Sequence, residues 1–232
     1  MQSLKLTKYL DQNHMGSGCF IQALTHRSAS GKHNERMEFL GDSVLGLIIT
    51  SALYNQQPNA SEGYLSRLRA SLVNENTLAE IANELSLGDF LRLGAGELKS
   101  GGFRRKSILS DTLEAVIGSV YLEKGMDAAT EFVLKIYTNR LEQLPSENDL
   151  KDPKSRLQEI LQSRGYEIPQ YELISTTGDA HRQVFTAECE IEKLDIKTKG
   201  VASSRRKAEQ QSAQNAYEVV KEKFMNKKKD KC

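Results

Sequence analysis

Three cysteines are too few and too scattered to frame a zinc site: Cys19, Cys189 and Cys232 fall at no metal-ligand spacing, and their number is odd. The chain is therefore expected to work in a reducing compartment without structural zinc. No apolar run approaches the roughly 18–20 residues that a membrane span requires. The opening MQSLKLTKYLDQNH also lacks the long apolar stretch of a secretory signal. A soluble, unexported, cytoplasmic protein with no membrane partner is the expectation. A strong overall charge is missing too, since the formal net charge is only +1. That value is an average over two unlike parts. Residues 1–150 carry 15 Lys+Arg against 18 Asp+Glu, giving −3, and residues 151–232 carry 17 against 13, giving +4. Polyanion binding is expected in the second part, while the first holds acids that need a reason.

What is present is ordinary globular material, 38% hydrophobic and 27% charged. A length of 232 residues favours two domains over one. From Met37 to Leu53 the residues Phe39, Leu40, Val44, Leu45, Leu47, Ile48, Ile49 and Leu53 give a near-continuous apolar helix, too apolar for a surface, with Asn34 or a neighbour as its cap. Helical patterns recur at about 63–85, 108–123 and 128–144, and nothing before residue 145 alternates like a strand. An all-α domain over 1–145 is expected, then a linker at 146–151 marked by Pro145 and polar residues. Beyond it, Asp152-Pro153 predicts a capped helix that stops at Gly165. Strands are read at Tyr171–Ser175, over the alternating Phe185, Ala187, Cys189 and Ile191, and at Lys197–Val201. A final helix from about Ser204 to Phe224 completes an α-β-β-β-α domain over 152–222, before a lysine-rich tail at 223–232 expected to be disordered.

Glu38 and Asp42 lie four apart on one apolar helix, and Asp111 and Glu114 three apart on another, so each pair shares a helix face. Buried carboxylates are costly, and like charges about 4 Å apart repel by several kcal/mol even at an effective dielectric near 20. If the two faces meet, the cluster needs a cation, and oxygen ligands with a phosphodiester substrate favour Mg²⁺. On spacing alone a plainer reading stands beside this one. Asp111 with Glu114 also fits a capping box, and Glu38 and Asp42 fit a solvated face.

The string Asn34-Glu35-Arg36-Met37-Glu38-Phe39-Leu40-Gly41-Asp42-Ser43 resembles the ribonuclease III signature, usually written NERLEFLGDS. The resemblance continues through Leu24-Thr25-His26-Arg27-Ser28, Glu62-Gly63, Ser66-Arg67-Leu68-Arg69-Ala70, Gly101-Gly102-Phe103-Arg104-Arg105 and Ser110-Asp111-Thr112-Leu113-Glu114-Ala115. It implies an endonuclease that cuts double-stranded RNA and leaves 5′-phosphate and 3′-hydroxyl ends with short 3′ overhangs. Precursors of ribosomal RNA and other structured transcripts are the implied substrates. By the same resemblance Glu38, Asp111 and Glu114 bind Mg²⁺, with Mn²⁺ as a substitute, while Asp42 and Glu114 are catalytic and Asp42 orders or deprotonates the attacking water. Glu35 and Glu62 are secondary acids, Glu35 alternatively pairing with arginines across a dimer interface. His26 is read as a packed structural residue. The resemblance further implies a homodimer joined through the 37–53 helix, which accounts for that helix's apolar character.

Residues 152–222 resemble the double-stranded-RNA-binding domain. Three regions are expected to touch RNA: Gln158 on the first helix, His181 in the Gly178-Asp179-Ala180-His181 loop, and Ser204, Arg205, Arg206 and Lys207 at the start of the last helix. Cations in a helix's first turn oppose the helix dipole, a conflict that a bound phosphate resolves. The loop also fits an ordinary hairpin turn, and the cations a solvated basic patch. Two positions depart from the family pattern: Glu209 stands where a third basic residue is usual, and Ala202 where glycine is common. Asp11 to Phe20 does not match the family's usual opening. The competing function is a non-catalytic double-stranded-RNA-binding protein, which predicts neutral replacements among the four acids, and none is present.

Overall fold

The computed structural model describes residues 5–179 and 182–229, with side chains through Phe224. The chain divides into two compact units, with the division between Ser146 and Glu147.

In the first unit two short helices, α1 (Gln12–Met15) and α2 (Gly18–Ala23), precede the long α3 (Glu35–Gln56). Then come α4 (Glu62–Leu72), α5 (Glu75–Glu84), α6 (Ala95–Lys99) and α7 (Lys106–Glu142). An isolated parallel bridge between Thr25 and Arg92 is the one β contact of this unit among the described residues. The pattern expected over 63–85 is two helices because the Asn74 side chain caps α5, accepting from the Thr77 N–H. The two helices expected at 108–123 and 128–144 lie end to end within α7, separated by a break at Gly125, whose φ of 82° and ψ of −176° only glycine adopts readily. Asn34 is not a side-chain cap for α3. It is buried and helical, and its backbone carbonyl accepts from the Met37 and Glu38 N–H groups.

The core of this unit is the packing of α3 on α7. Val44, Leu45, Ile48, Ile49 and Leu53 of α3 bury with Leu109, Leu113, Val116, Ile117 and Val120 of α7. Two glycines set how closely the helices cross. A Cβ at Gly41 would lie 1.8 Å from the Glu114 carbonyl oxygen, and one at Gly118 would lie 2.4 Å from that of Met37. Only bare backbone fits there. The α3 helix is long and apolar enough to span a membrane by length and composition, the one such helix among the described residues, but one side of it is buried against α7. On its other side Phe39, Leu47 and Tyr54 are 78%, 56% and 70% exposed.

In the second unit, residues expected as linker include one helical turn, α8 (Glu147–Leu150). Asp152 caps α9 (Pro153–Gln162) by accepting from the Lys154 and Ser155 N–H groups, with Pro153 in the first turn. The chain reverses through Gly165, at φ 72°. An antiparallel sheet follows in the order β1 (Gln170–Thr177), β2 (Val184–Ile191), β3 (Ile196–Ala202), and α10 (Arg205–Lys229) closes the unit. Leu157 and Leu161 of α9 meet Cys189, Ile191 and Ile196 of the sheet and Ala213, Ala216, Val220 and Phe224 of α10. Gly200 lets β3 approach α10 closely, since a Cβ there would lie 2.2 Å from the Ala208 carbonyl oxygen. The basic stretch expected as a disordered tail from 223 instead continues the helix to Lys229. Phe224, buried in the core and stacked on Tyr166 at 5.7 Å, anchors that extension.

Candidate active site and nucleic-acid interface

The crossing at Gly41 and Gly118 places the first-unit acids. Glu38 lies one turn before Gly41, Asp42 just after it, and Glu114 one turn before Gly118 with Asp111 a further turn back. Glu38, Asp111 and Glu114 each turn a carboxylate oxygen to within 4.8 Å of the others'. All three are partly buried, and no lysine or arginine pairs with them among the described residues. Asp42 is exposed at the edge of this group. The capping-box alternative for Asp111 and Glu114 is excluded, because α7 begins five residues earlier, at Lys106.

The electrostatics follow from that geometry. Burial first, then the charges of Asp42, Asp111 and Glu38, push the Glu114 carboxyl up to about 8. Glu38 is raised by burial and then by Asp111, Glu35 and Asp42. Asp111 is raised by burial, partly offset by the hydrogen bond from the Ser110 hydroxyl at 3.2 Å. Three acids with raised affinity for protons at one point form a site short of positive charge, and oxygen donors of this kind suit a hard divalent cation.

An open cavity of about 790 Å³ adjoins the cluster, lined among others by His26, Arg27, Glu35, Glu38, Arg105 and Asp111. Glu35 is thus brought beside the cluster, paired with Arg27 at 3.2 Å within the same chain. Glu62 is not in this cavity. It accepts from the Ser66 hydroxyl at 2.8 Å and lines a separate hollow with Tyr54, Leu65 and Arg69. His26 takes a place in the cavity wall, its Nδ1 within 2.8 Å of the Ser28 hydroxyl. Arg105, held by Glu97 at 2.8 Å, is a cation at the cavity that the spacing of acids alone did not single out. The glycine-rich stretch before it was the available signal.

In the second unit Gln158 is exposed on α9, to one side of the buried Leu157 and Leu161. Arg205, Arg206 and Lys207 are exposed in the first turn of α10. The Ser204 hydroxyl accepts from the Lys207 N–H at 3.3 Å, so this serine caps the helix. The β1–β2 connection turns at Gly178, φ 91°, and His181 lies outside the described residues.

Residues 17–141 match the Ribonuclease-III-like family, and residues 153–220 the double-stranded RNA binding motif. The Ribonuclease 3 of Buchnera aphidicola subsp. Baizongia pistaciae is 53% identical over 212 residues, which are 91% of this chain and 94% of that one. The chain belongs to the ribonuclease III family. The Ribonuclease 3 of Proteus mirabilis is 51% identical over the same shares. That of Shewanella halifaxensis is 56% identical over 200 residues, 86% of this chain and 88% of that one. The crystal structure of the nuclease domain of ribonuclease III from Campylobacter jejuni, 41% identical, superposes with a TM-score of 0.55 over 62% of this chain and 100% of that one. The chain is a double-stranded-RNA endoribonuclease with a helical nuclease domain and an RNA-binding domain. Ribonuclease III enzymes are metal-dependent, and the Glu38–Asp111–Glu114 cluster is compatible with a bound metal ion.

Proposed function

We propose that Glu38, Asp111 and Glu114 hold Mg²⁺, which Mn²⁺ replaces, for hydrolysis of double-stranded RNA to 5′-phosphate and 3′-hydroxyl ends. The observation that carries this is the meeting of three carboxylate oxygens within 4.8 Å, all shifted toward the protonated form and unpaired with any described lysine or arginine. When bound, the ion supplies Lewis acidity toward the phosphodiester and a water that loses its proton more readily. Glu38, Asp111 and Glu114 would hold the ion, and Asp42 at the open edge would order or deprotonate the attacking water. A phosphorus–oxygen bond forms to that water, and the bond to the ribose 3′ oxygen breaks, with that oxygen taking a proton. Glu35, beside the cluster, and Glu62, apart from it, are secondary acids in this reading.

The working unit is a homodimer joined through the 37–53 helix, where Phe39 and Leu47 expose apolar surface that a second copy would cover. A nuclease-domain structure of the Campylobacter jejuni relative, TM-score 0.54, is described as showing structural flexibility in a region involved in dimer formation. Two sites facing one duplex, each cutting one strand, leave short 3′ overhangs. Gln158, His181, Ser204, Arg205, Arg206 and Lys207 form the RNA-facing set, and ribosomal precursors and other structured transcripts in the cytoplasm are the substrates. The test incubates long duplex RNA with the protein, with Mg²⁺ or chelator, beside Glu114→Gln. Fragments from the native protein with Mg²⁺ alone, against bound but uncut RNA with the variant, support the reading. Cutting in chelator, or by the variant at the native rate, overturns it.

A further inference from the structure

The three cations at the start of α10 are not equivalent. Arg206 and Lys207 are exposed and join no ion pair among the described residues. Arg205 folds back one turn, and its Nε donates to the Glu209 Oε1 at 2.8 Å. The other oxygen of the same carboxylate, Oε2, accepts from the Lys154 Nζ of α9 at 2.6 Å. Lys154 in turn sits 4.0 Å over the ring of Tyr171 on β1, so its ammonium is fixed on two sides. The Glu209 side chain is only 13% exposed, and these two cations hold its carboxyl below the usual carboxylate range. Glu209 thus joins the first turn of α9, which also carries Gln158 in its next turn, to the first turn of α10. It stands at the position where the family pattern usually has a third cation.

We propose that Glu209 is a positioning and affinity-setting residue that occupies Arg205 and Lys154 as an internal anion in place of an RNA phosphate. The inference rests on the reading that the start of α10 faces RNA. A phosphate approaching Arg205 must displace a carboxylate held by two charge-assisted hydrogen bonds, and that carboxylate itself repels the incoming charge. Contact with the RNA backbone then falls mainly on Arg206 and Lys207. Fewer counterions are released on binding, so the grip on duplex RNA is looser and less dependent on salt than three cations would give. For an enzyme that must release its cut product, a looser grip on sequence-independent phosphate is an advantage.

The experiment uses the full chain with chelator, so that RNA is bound but not cut, and a duplex longer than the roughly 16 base pairs such a domain spans. The dissociation constant is measured from about 50 to 300 mM salt, because each phosphate contact contributes a slope of about 0.9 in log K against log salt. Glu209→Gln is expected to bind more tightly at low salt and to steepen the slope by about one to two. Adding Arg205→Ala to Glu209→Gln should return part of that increase. A merely structural role for Glu209 predicts weaker binding with an unchanged slope, and that result overturns the proposal. Thermal unfolding checks that the variant folds. If it does not, Arg205→Gln and Arg206→Gln are compared in the otherwise native chain. The proposal expects the Arg205 change to flatten the slope distinctly less than the Arg206 change, and equal flattening overturns it. If neither change alters the slope, it is the RNA-facing role of α10 that fails.

Discussion

The two units handle ionised side chains in opposite ways. In the first, Glu38, Asp111 and Glu114 converge without a described lysine or arginine among them, and the conflict is left for a proton or a metal ion to resolve. In the second, Glu209 already satisfies two of the cations nearest the expected RNA contacts. The difference matches what each surface has to do. A reaction centre gains from charge that is unresolved until its ligand arrives, because binding energy then appears where bonds change. A surface that reads only the shape and charge of a duplex gains from restraint, since excess cations raise affinity for every polyanion. The asymmetry from −3 to +4 between the two parts of the chain is the coarse trace of this division.

The sharpest way to break the comparison is to neutralise the first unit alone. Glu114→Gln should lower the rate of cutting by at least about 1,000-fold, on the scale of losing a metal-ion contribution to catalysis. Affinity for duplex RNA in chelator should stay within about twofold of native, because the surface that grips phosphate is elsewhere. Single-turnover cleavage and a filter-binding titration measure the two effects. If both quantities collapse together, the two units do not share the work as described.

Next in size is the scaffold that makes the acids meet. Gly41→Ala puts a methyl group where 1.8 Å separates it from the Glu114 carbonyl oxygen, so α3 and α7 must move apart. Overpacking of this kind costs about 1–3 kcal/mol or more, and moving the helices also separates Glu38 from Glu114. A lower unfolding midpoint with cutting reduced beyond the loss of folded protein is expected. An equivalent change at Gly46, where a Cβ meets nothing within 4 Å, should do neither.

How much of this was legible beforehand differs between the units for physical reasons. Helices built on a 3.6-residue apolar repeat, the alternating strand from Phe185 to Ile191 and the Asp152-Pro153 start are local signals, and they read correctly. The four acids were legible as two pairs at helical spacing. That the pairs meet depends on a long-range crossing through Gly41 and Gly118, which spacing within one helix does not encode. The break near Gly125 was legible as the gap between the helical patterns at 108–123 and 128–144, whereas the cap at Asn74 was not, because apolar periodicity runs through it. Composition also pointed to disorder after 223, whereas Phe224 is held by core contacts that lie far away in sequence. The pairing of Glu209 with Lys154 spans 55 residues and was invisible except as a departure from pattern.

The unresolved charge of the first unit has a pH signature that the second does not share. Glu114 is raised from 4.5 to about 8, with Glu38 and Asp111 shifted in the same direction. A group whose folded-state value is raised stabilises fully below its unfolded value, and that stability is lost as pH rises through the folded value. In chelator the unfolding midpoint should therefore drop as pH rises from about 4.5 to about 8, by an amount equivalent to roughly 1–3 kcal/mol once solvent screening is allowed for. Mg²⁺ replaces the proton, so its stabilising increment should be larger at the alkaline end. A metal increment independent of pH would count against a protonated cluster. The lowered value of Glu209 has the opposite sign, since the stability it contributes is present at neutral pH and lost only on acidification below the ordinary carboxylate range.

The smallest effect tests the second unit on its own terms. Arg206 is exposed in the first turn of α10 and joins no described ion pair, so its guanidinium is free to meet a phosphate. Arg206→Ala should weaken duplex binding only a few-fold near physiological salt and lower the salt slope by about 0.9, one phosphate's worth. Its stability cost should be small, because a cation at that end of a helix opposes the dipole and its removal offsets part of any lost packing. Cleavage under saturating RNA should be close to native, since the acids of the first unit are untouched. If saturating RNA fails to restore the rate, Arg206 does more than grip the backbone, and binding and cutting are coupled through the α10 end.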